Sequence, residues 1–220
     1  MVETADGSTS ARARGRPRST SGEVLRRIGL RMFAERGFEN TTVSQIAGEA
    51  GVTERTFFRY YGSKAGLLWS MFESQKRALE AELKAAPDDV PMMDALRHAV
   101  IAGLEPSGTE ESEQRMLAEL TTADPVVAAL VAEHFAVWER SVSEFAGRRL
   151  GQSADSLYPV VVGRTVLAAC RAALEEWAAH PDRSLTGCLD SVLVVLATGL
   201  GPLETQQAVA EAPLSRKAPE

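Results

Sequence analysis

Apolar residues recur at three- and four-residue spacings from about Ser21 almost to Leu200, and no stretch of the chain alternates convincingly with period two. Side chains so spaced share a face only on an α-helix. The valine runs at 160–162 and 192–195 sit inside longer helical patterns rather than standing alone as strands. The reading is an all-α chain. Breakers and caps divide it into helices over about 22–36, 42–51, 53–61, 63–85, 92–104, 111–121, 125–150, 157–179 and 185–200. In the first helix Leu25, Ile28, Met32 and Phe33 form the buried stripe, and Gly37 stops it.

A chain of 220 residues that is 45% hydrophobic and 25% charged has ample material for a core. Two cysteines, Cys170 and Cys188, make no disulfide framework, and no histidine or cysteine pairing has metal-ligand spacing. The longest apolar stretch, residues 157–174, is interrupted by Arg164 and Arg171. With no signal-like apolar run in the first twenty residues, the expectation is a cytoplasmic protein without a membrane partner. Net charge is −6, but unevenly placed. Residues 1–64 hold 11 Lys+Arg against 7 Asp+Glu, and the remainder 13 against 23. A head of +4 on a body of −10 fits a polyanion reader attached to a separate acidic domain.

Residues 42–61 carry the sharpest pattern. Thr42-Val-Ser-Gln45 is a capping box opening one short helix, Gly51 supplies a turn, and Thr53 caps a second. Ala47 is small where two helices must approach, while Ile46, Val52 and Phe57 point inward. That is the make-up of a helix-turn-helix, whose second helix enters the DNA major groove. A helical hairpin inside a bundle would share the spacing.

The segments Phe33-Ala-Glu-Arg-Gly-Phe38, Thr41-Thr-Val-Ser-Gln-Ile-Ala47, Gly51-Val-Thr-Glu-Arg-Thr-Phe-Phe-Arg-Tyr-Tyr61 and Ser63-Lys64-Ala-Gly-Leu-Leu68 occur in order and together resemble the TetR family of bacterial regulators. The resemblance implies a homodimer on double-stranded DNA and a divergent helical body that binds a small-molecule effector. Domains then fall at 1–20 (a disordered basic arm), 21–66 (an N-terminal three-helix helix-turn-helix domain) and 67–201 (a helical-bundle ligand-binding and dimerisation domain entered by a long helix). Residues 202–220 form a disordered tail. By the same resemblance Thr42 and Ser44 contact the DNA backbone, and Thr53, Glu54, Arg55 and Thr56 stand at the reading end of the second helix. Arg55 is the candidate for guanine. Tyr60 and Lys64 match phosphate-contacting positions. Phe58 departs from the family pattern, which often has a tyrosine there with a phosphate-bonding hydroxyl; Arg59 is placed to compensate. Tyr61 reads as a packing residue.

The arm offers two readings. Arg14-Gly-Arg16-Pro17 is similar to the core of an AT-hook, and it is also an ordinary basic tail attracted to phosphates.

In the body, residues 125–150 carry His134, Phe135 and Trp138 on one stripe, with Trp69 and Phe72 earlier in the chain; these five are the candidate ligand-binding residues. Each has a packing explanation as well. Val166, Cys170, Leu174 and Trp177, with Leu189 and Leu193, supply apolar surface for a dimer interface of two helices per subunit, or else close the chain's own core. The segment from Ala86 to Leu96 and the body that follows it are weakly similar to the mycofactocin-type regulators, which makes an apolar or acyl-CoA-like effector the leading expectation. The function so read is a ligand-responsive repressor on a palindromic operator. The alternative is a ligand-independent architectural or activating DNA-binding protein. No nucleophile elbow, phosphate loop or catalytic dyad is evident, and no enzyme activity, cofactor or metal is expected.

Overall fold

The computed structural model describes residues 19–104 and 111–199, of which 19–21 by backbone alone. The described residues form nine helices and no strand. They are α1 (Ser19–Arg36), α2 (Val43–Glu49), α3 (Glu54–Tyr61), α4 (Lys64–Ala85), α5 (Met92–Leu104), α6 (Glu111–Ala123), α7 (Pro125–Leu150), α8 (Leu157–Ala179) and α9 (Leu185–Thr198). Arg14 and Arg16, and the tail beyond 201, lie outside the described residues. The first helix begins at Ser19, so it takes in the last two residues of the segment read as arm.

Caps fix the boundaries. The Thr42 box closes in both directions: the Gln45 amide donates to Thr42 Oγ1 at 3.2 Å, and the Thr42 amide donates to Gln45 Oε1 at 2.9 Å. Asp124 caps α7 ahead of Pro125, accepting from the Val126 and Val127 amides. Gly51, with φ of 67°, makes the left-handed turn between α2 and α3.

Two hydrophobic clusters organise the packing. One joins α1, α2, α3 and the first half of α4 (Leu25, Phe33, Ile46, Phe57, Leu67, Leu68, Met71, Phe72) to Leu117 and Leu120 of α6 and Val127 and Val131 of α7. The other joins the second half of α4 to α5, α7, α8 and α9 around Leu79, Leu96, Trp138, Phe145, Trp177 and Leu193. The first cluster therefore runs past the boundary expected at 66/67. In α1 the stripe is Leu25, Leu30, Met32 and Phe33; Ile28 is only partly buried.

Helices α7 and α8 meet at Gly163, where a β-carbon would come within 2.8 Å of the Glu139 carbonyl oxygen and 2.2 Å of Ser143 Oγ. Only glycine lets the two backbones approach so closely. By length and composition α8 could cross a membrane. Here its apolar residues divide between two faces. Val166, Cys170, Ala173 and Trp177 enter the chain's own core, while Leu157, Tyr158 and Val161 face outward. This corrects the reading of the dimer residues. Val166, Cys170, Trp177, Leu189 and Leu193 are at most 4% exposed in a single chain, and Leu174 is partly buried against the same core. The five buried side chains have no surface left for a partner, and Leu174 keeps only part of its own.

Candidate DNA-reading face and effector cavity

The reading helix is short, and two features set its angle. At its start the Thr56 amide donates to Thr53 Oγ1 at 3.3 Å, and the two threonine hydroxyls lie 3.2 Å apart. On its inner side Phe57 is fully buried and makes a tilted contact with Tyr61. The Tyr61 hydroxyl donates to the Gly22 carbonyl of α1 at 2.5 Å, and burial pushes its pKa up to about 12. Tyr61 is a strut, in keeping with its reading as a packing residue.

With the inner side so occupied, Thr53, Glu54, Arg55, Phe58 and Arg59 are exposed. Thr56 is half-buried by its role in the cap, and Arg59 lies over the Tyr60 ring at 5.2 Å. Thr42 and Ser44 are exposed at the start of α2. Of the residues expected at DNA in and just before α2 and α3, all are exposed but the partly buried Thr56 and Tyr60; Lys64, at the start of α4, is engaged within the fold. The Lys64 ammonium, expected at a phosphate, donates to the carbonyls of Phe38 at 2.7 Å and Thr41 at 3.0 Å and lies 4.2 Å from the Phe38 ring centroid. It ties the α1–α2 connection to α4. Thr41 was not singled out in the sequence; its fully buried hydroxyl reaches the carbonyls of Met32 and Gly37 and locks the same corner.

Two polar contacts join this unit to the helices behind it. Arg26 of α1 donates through Nε to Oε2 of Glu113 of α6 at 2.7 Å, and Glu113 is 5% exposed. Asp124 accepts from the Phe38 amide at 3.2 Å while it caps α7. Burial alone would raise the Asp124 pKa, but its three backbone donors outweigh that and hold it below the ordinary 3.8.

Beyond Glu113, the same helix walls an apolar cavity of about 80 Å3 between α4, α6, α7 and α8. Phe72, Leu117, Phe135, Trp138, Leu167 and Leu174 supply most of its surface; Gln75, Gln114, Arg171 and Glu175 supply polar groups. Three of the five expected ligand residues, Phe72, Phe135 and Trp138, line it. The other two do not. His134 stacks on Phe72, with centroids 5.6 Å apart and planes at 14°, and lies 5.5 Å from Trp69. The Trp69 indole donates to the Leu130 carbonyl at 3.3 Å. Both are packing residues behind the cavity wall. Cys170 and Leu174, expected at a dimer interface, line the cavity instead, and burial pushes the Cys170 thiol up to about 12. The Trp138 indole N–H has no acceptor among the described residues. Arg171, whose guanidinium lies 5.4 Å from the Phe135 centroid, is the cationic residue of the lining. The sequence carried one signal for it, an arginine interrupting the apolar stretch 157–174, a signal it shares with Arg164.

Comparison with known proteins agrees with this geometry. Residues 27–71 match the profile of bacterial regulatory proteins of the tetR family, and residues 90–201 match that of the MftR C-terminal domain. The chain is 32% identical over 191 residues, 86% of its length and 96% of the relative's, to the mycofactocin biosynthesis transcriptional regulator MftR of Mycobacterium tuberculosis. Its fold is similar to that of the fatty acid degradation regulator FadR from Bacillus halodurans, with a TM-score of 0.61 at 16% identity over 84% of this chain and 99% of that one. The TetR-family repressor FadR of Thermus thermophilus, solved in complex with lauroyl-CoA, is 27% identical with a TM-score of 0.52, covering 90% of this chain and 99% of that one.

Proposed function

The chain belongs to the TetR family of bacterial transcriptional regulators, and from that premise we propose that it is a homodimeric repressor that reads a palindromic operator through α3 and releases it when an apolar effector enters the cavity. The observation that carries the reading is the outward face of α3, a capped helix on a buried anchor with Arg55 and Arg59 exposed. Arg55 is the base reader, with a bidentate guanine contact worth about 1–3 kcal/mol of discrimination. Thr42, Ser44, Arg59 and Tyr60 position the helix against phosphates. Residues 21–66 do the reading and 67–201 the sensing and dimerisation, with Phe72 and Leu117 as shared walls.

The dimer face is the outer surface of α8 and α9. Leu157, Tyr158, Val161 and Val194 are 40–71% exposed there, a large apolar exposure for a monomer. A two-fold pair of such faces makes a four-helix interface, and reading successive major grooves then requires the two α3 helices to stand about 34–36 Å apart, one turn of DNA.

The effector is an apolar molecule carrying a hydrogen-bond acceptor for the Trp138 N–H, and an acyl thioester meets that description. Sites for drug-sized ligands run to about 300–1,000 Å3. A cavity of about 80 Å3 therefore widens to admit a long acyl chain. Its α6 wall is tied to α1 through Glu113 and Arg26, so widening moves the reading heads. A ligand releases DNA only in so far as it binds the widened form more tightly.

The test is Arg55→Ala on an operator selected from random duplexes. The variant should lose about 10- to 100-fold on that operator and little on random DNA. Equal loss on both would remove Arg55 from base reading.

A further inference from the structure

Phe58 is a large apolar side chain, 45% exposed, on a helix whose exposed residues Glu54, Arg55 and Arg59 are all charged. Its ring meets Phe57 edge-on at 5.8 Å, which holds it but leaves its outer part in water. At about 100° per residue, Glu54, Phe58, Arg55 and Arg59 follow one another around roughly 140° of α3. Phe58 is therefore flanked by Glu54 and Arg55, in the middle of the outward face. Phe57 lies on the opposite side, in the core.

From this placement the geometry points to Phe58 as a sequence-reading residue whose target is the 5-methyl group of a thymine. The inference rests on the proposal that α3 reads the major groove. A phenylalanine has no donor or acceptor, so it cannot serve a phosphate or a hydrogen-bonding base edge. Among the major-groove edges of the four base pairs, the thymine methyl is the distinctive apolar target. The exposed arginines at positions 55 and 59 draw the helix into a negatively charged groove, and the Phe58 ring beside Arg55 is desolvated when it arrives. Phe58 then contributes specificity where a tyrosine would contribute a phosphate contact.

The experiment measures binding of the full-length protein to an operator that it has itself selected from random duplex DNA. Each thymine of a half-site is replaced in turn by deoxyuridine, which removes only the methyl group. At one or two positions the replacement should weaken the wild type about fourfold, the value of roughly one buried methyl. Phe58→Ala should bind the thymine operator more weakly and be indifferent to deoxyuridine at those positions. Phe58→Leu, which keeps an apolar side chain, should retain part of the discrimination. If no thymine loses its methyl dependence in Phe58→Ala, or if Phe58→Ala weakens operator and random DNA alike, Phe58 does not read thymine. Either result would leave the DNA-reading role of α3 standing. Failure to select any sequence would overturn that role, and this inference with it.

Discussion

The ion pair between Arg26 and Glu113 joins α1 to the cavity-walling helix, and its energetics can be worked from its burial. The two side chains are 15% and 6% exposed, with Nε and Oε2 2.7 Å apart. Removing one partner from such a pair strands a charge away from water and costs about 3–5 kcal/mol. Arg26→Met strands the Glu113 carboxylate, only 6% exposed, and should cost about 3–5 kcal/mol. Glu113→Leu strands a guanidinium that can still reach water, so it costs less, about 1–2 kcal/mol. Replacing both leaves an apolar contact between α1 and α6, and substitution of a whole buried pair is often close to neutral. The double variant should then lie within about 1 kcal/mol of the wild type. Urea unfolding of the full-length protein at pH 7 and a fixed protein concentration reads all four corners of the cycle. A double-variant loss equal to the sum of the single losses would refute the reasoning, since it would mean that the two charges do not interact.

Two further outcomes follow from the same chain. Asp124→Ala removes the α7 cap and the acceptor of the Phe38 amide, and should cost about 2–4 kcal/mol, a cap of about 1 and an orphaned amide of about 1–3. The Asp124 pKa in the folded protein lies below 3.8. Its contribution is complete above the unfolded value and is lost as pH falls through the folded one, so acid unfolding followed by circular dichroism should be shallower below about pH 4 in the variant than in the wild type. Val161→Arg places a charge on the outer face of α8; sedimentation at micromolar concentration should show monomer with unchanged helix content, whereas a surviving dimer would move the interface elsewhere.

The reading head was legible in the sequence because its determinants are local. Thr42, Gln45 and Thr53 act on amides three residues away and Gly51 turns the chain by its own φ, so spacing alone predicts both short helices and the turn between them. Lys64 and Thr41 were misread or passed over because their partners, the carbonyls around Phe38, come close only once α1, α2 and α4 have packed.

The body shows the same divide in a harder form. Periodicity reveals that α8 is apolar on more than one side, but not which side meets its own chain. Val166, Cys170, Ala173 and Trp177 follow one another at spacings of four, three and four, as interface residues would, yet the fold spends them on its core. The difference lies in what α7 and α9 already cover. Gly163 fixes the contact of α8 with α7, and that contact rotates the Cys170 side inward and leaves Leu157 and Val161 outside. A side chain at position 163 would force α8 away from α7, so one glycine bears on both the cavity wall and the outward face. The cavity lining and the outward face proposed for the dimer are two neighbouring faces of one helix. In the proposed dimer a ligand that shifts α8 would act on both, which gives sensing in the body a second route to the reading heads besides the Arg26–Glu113 tie.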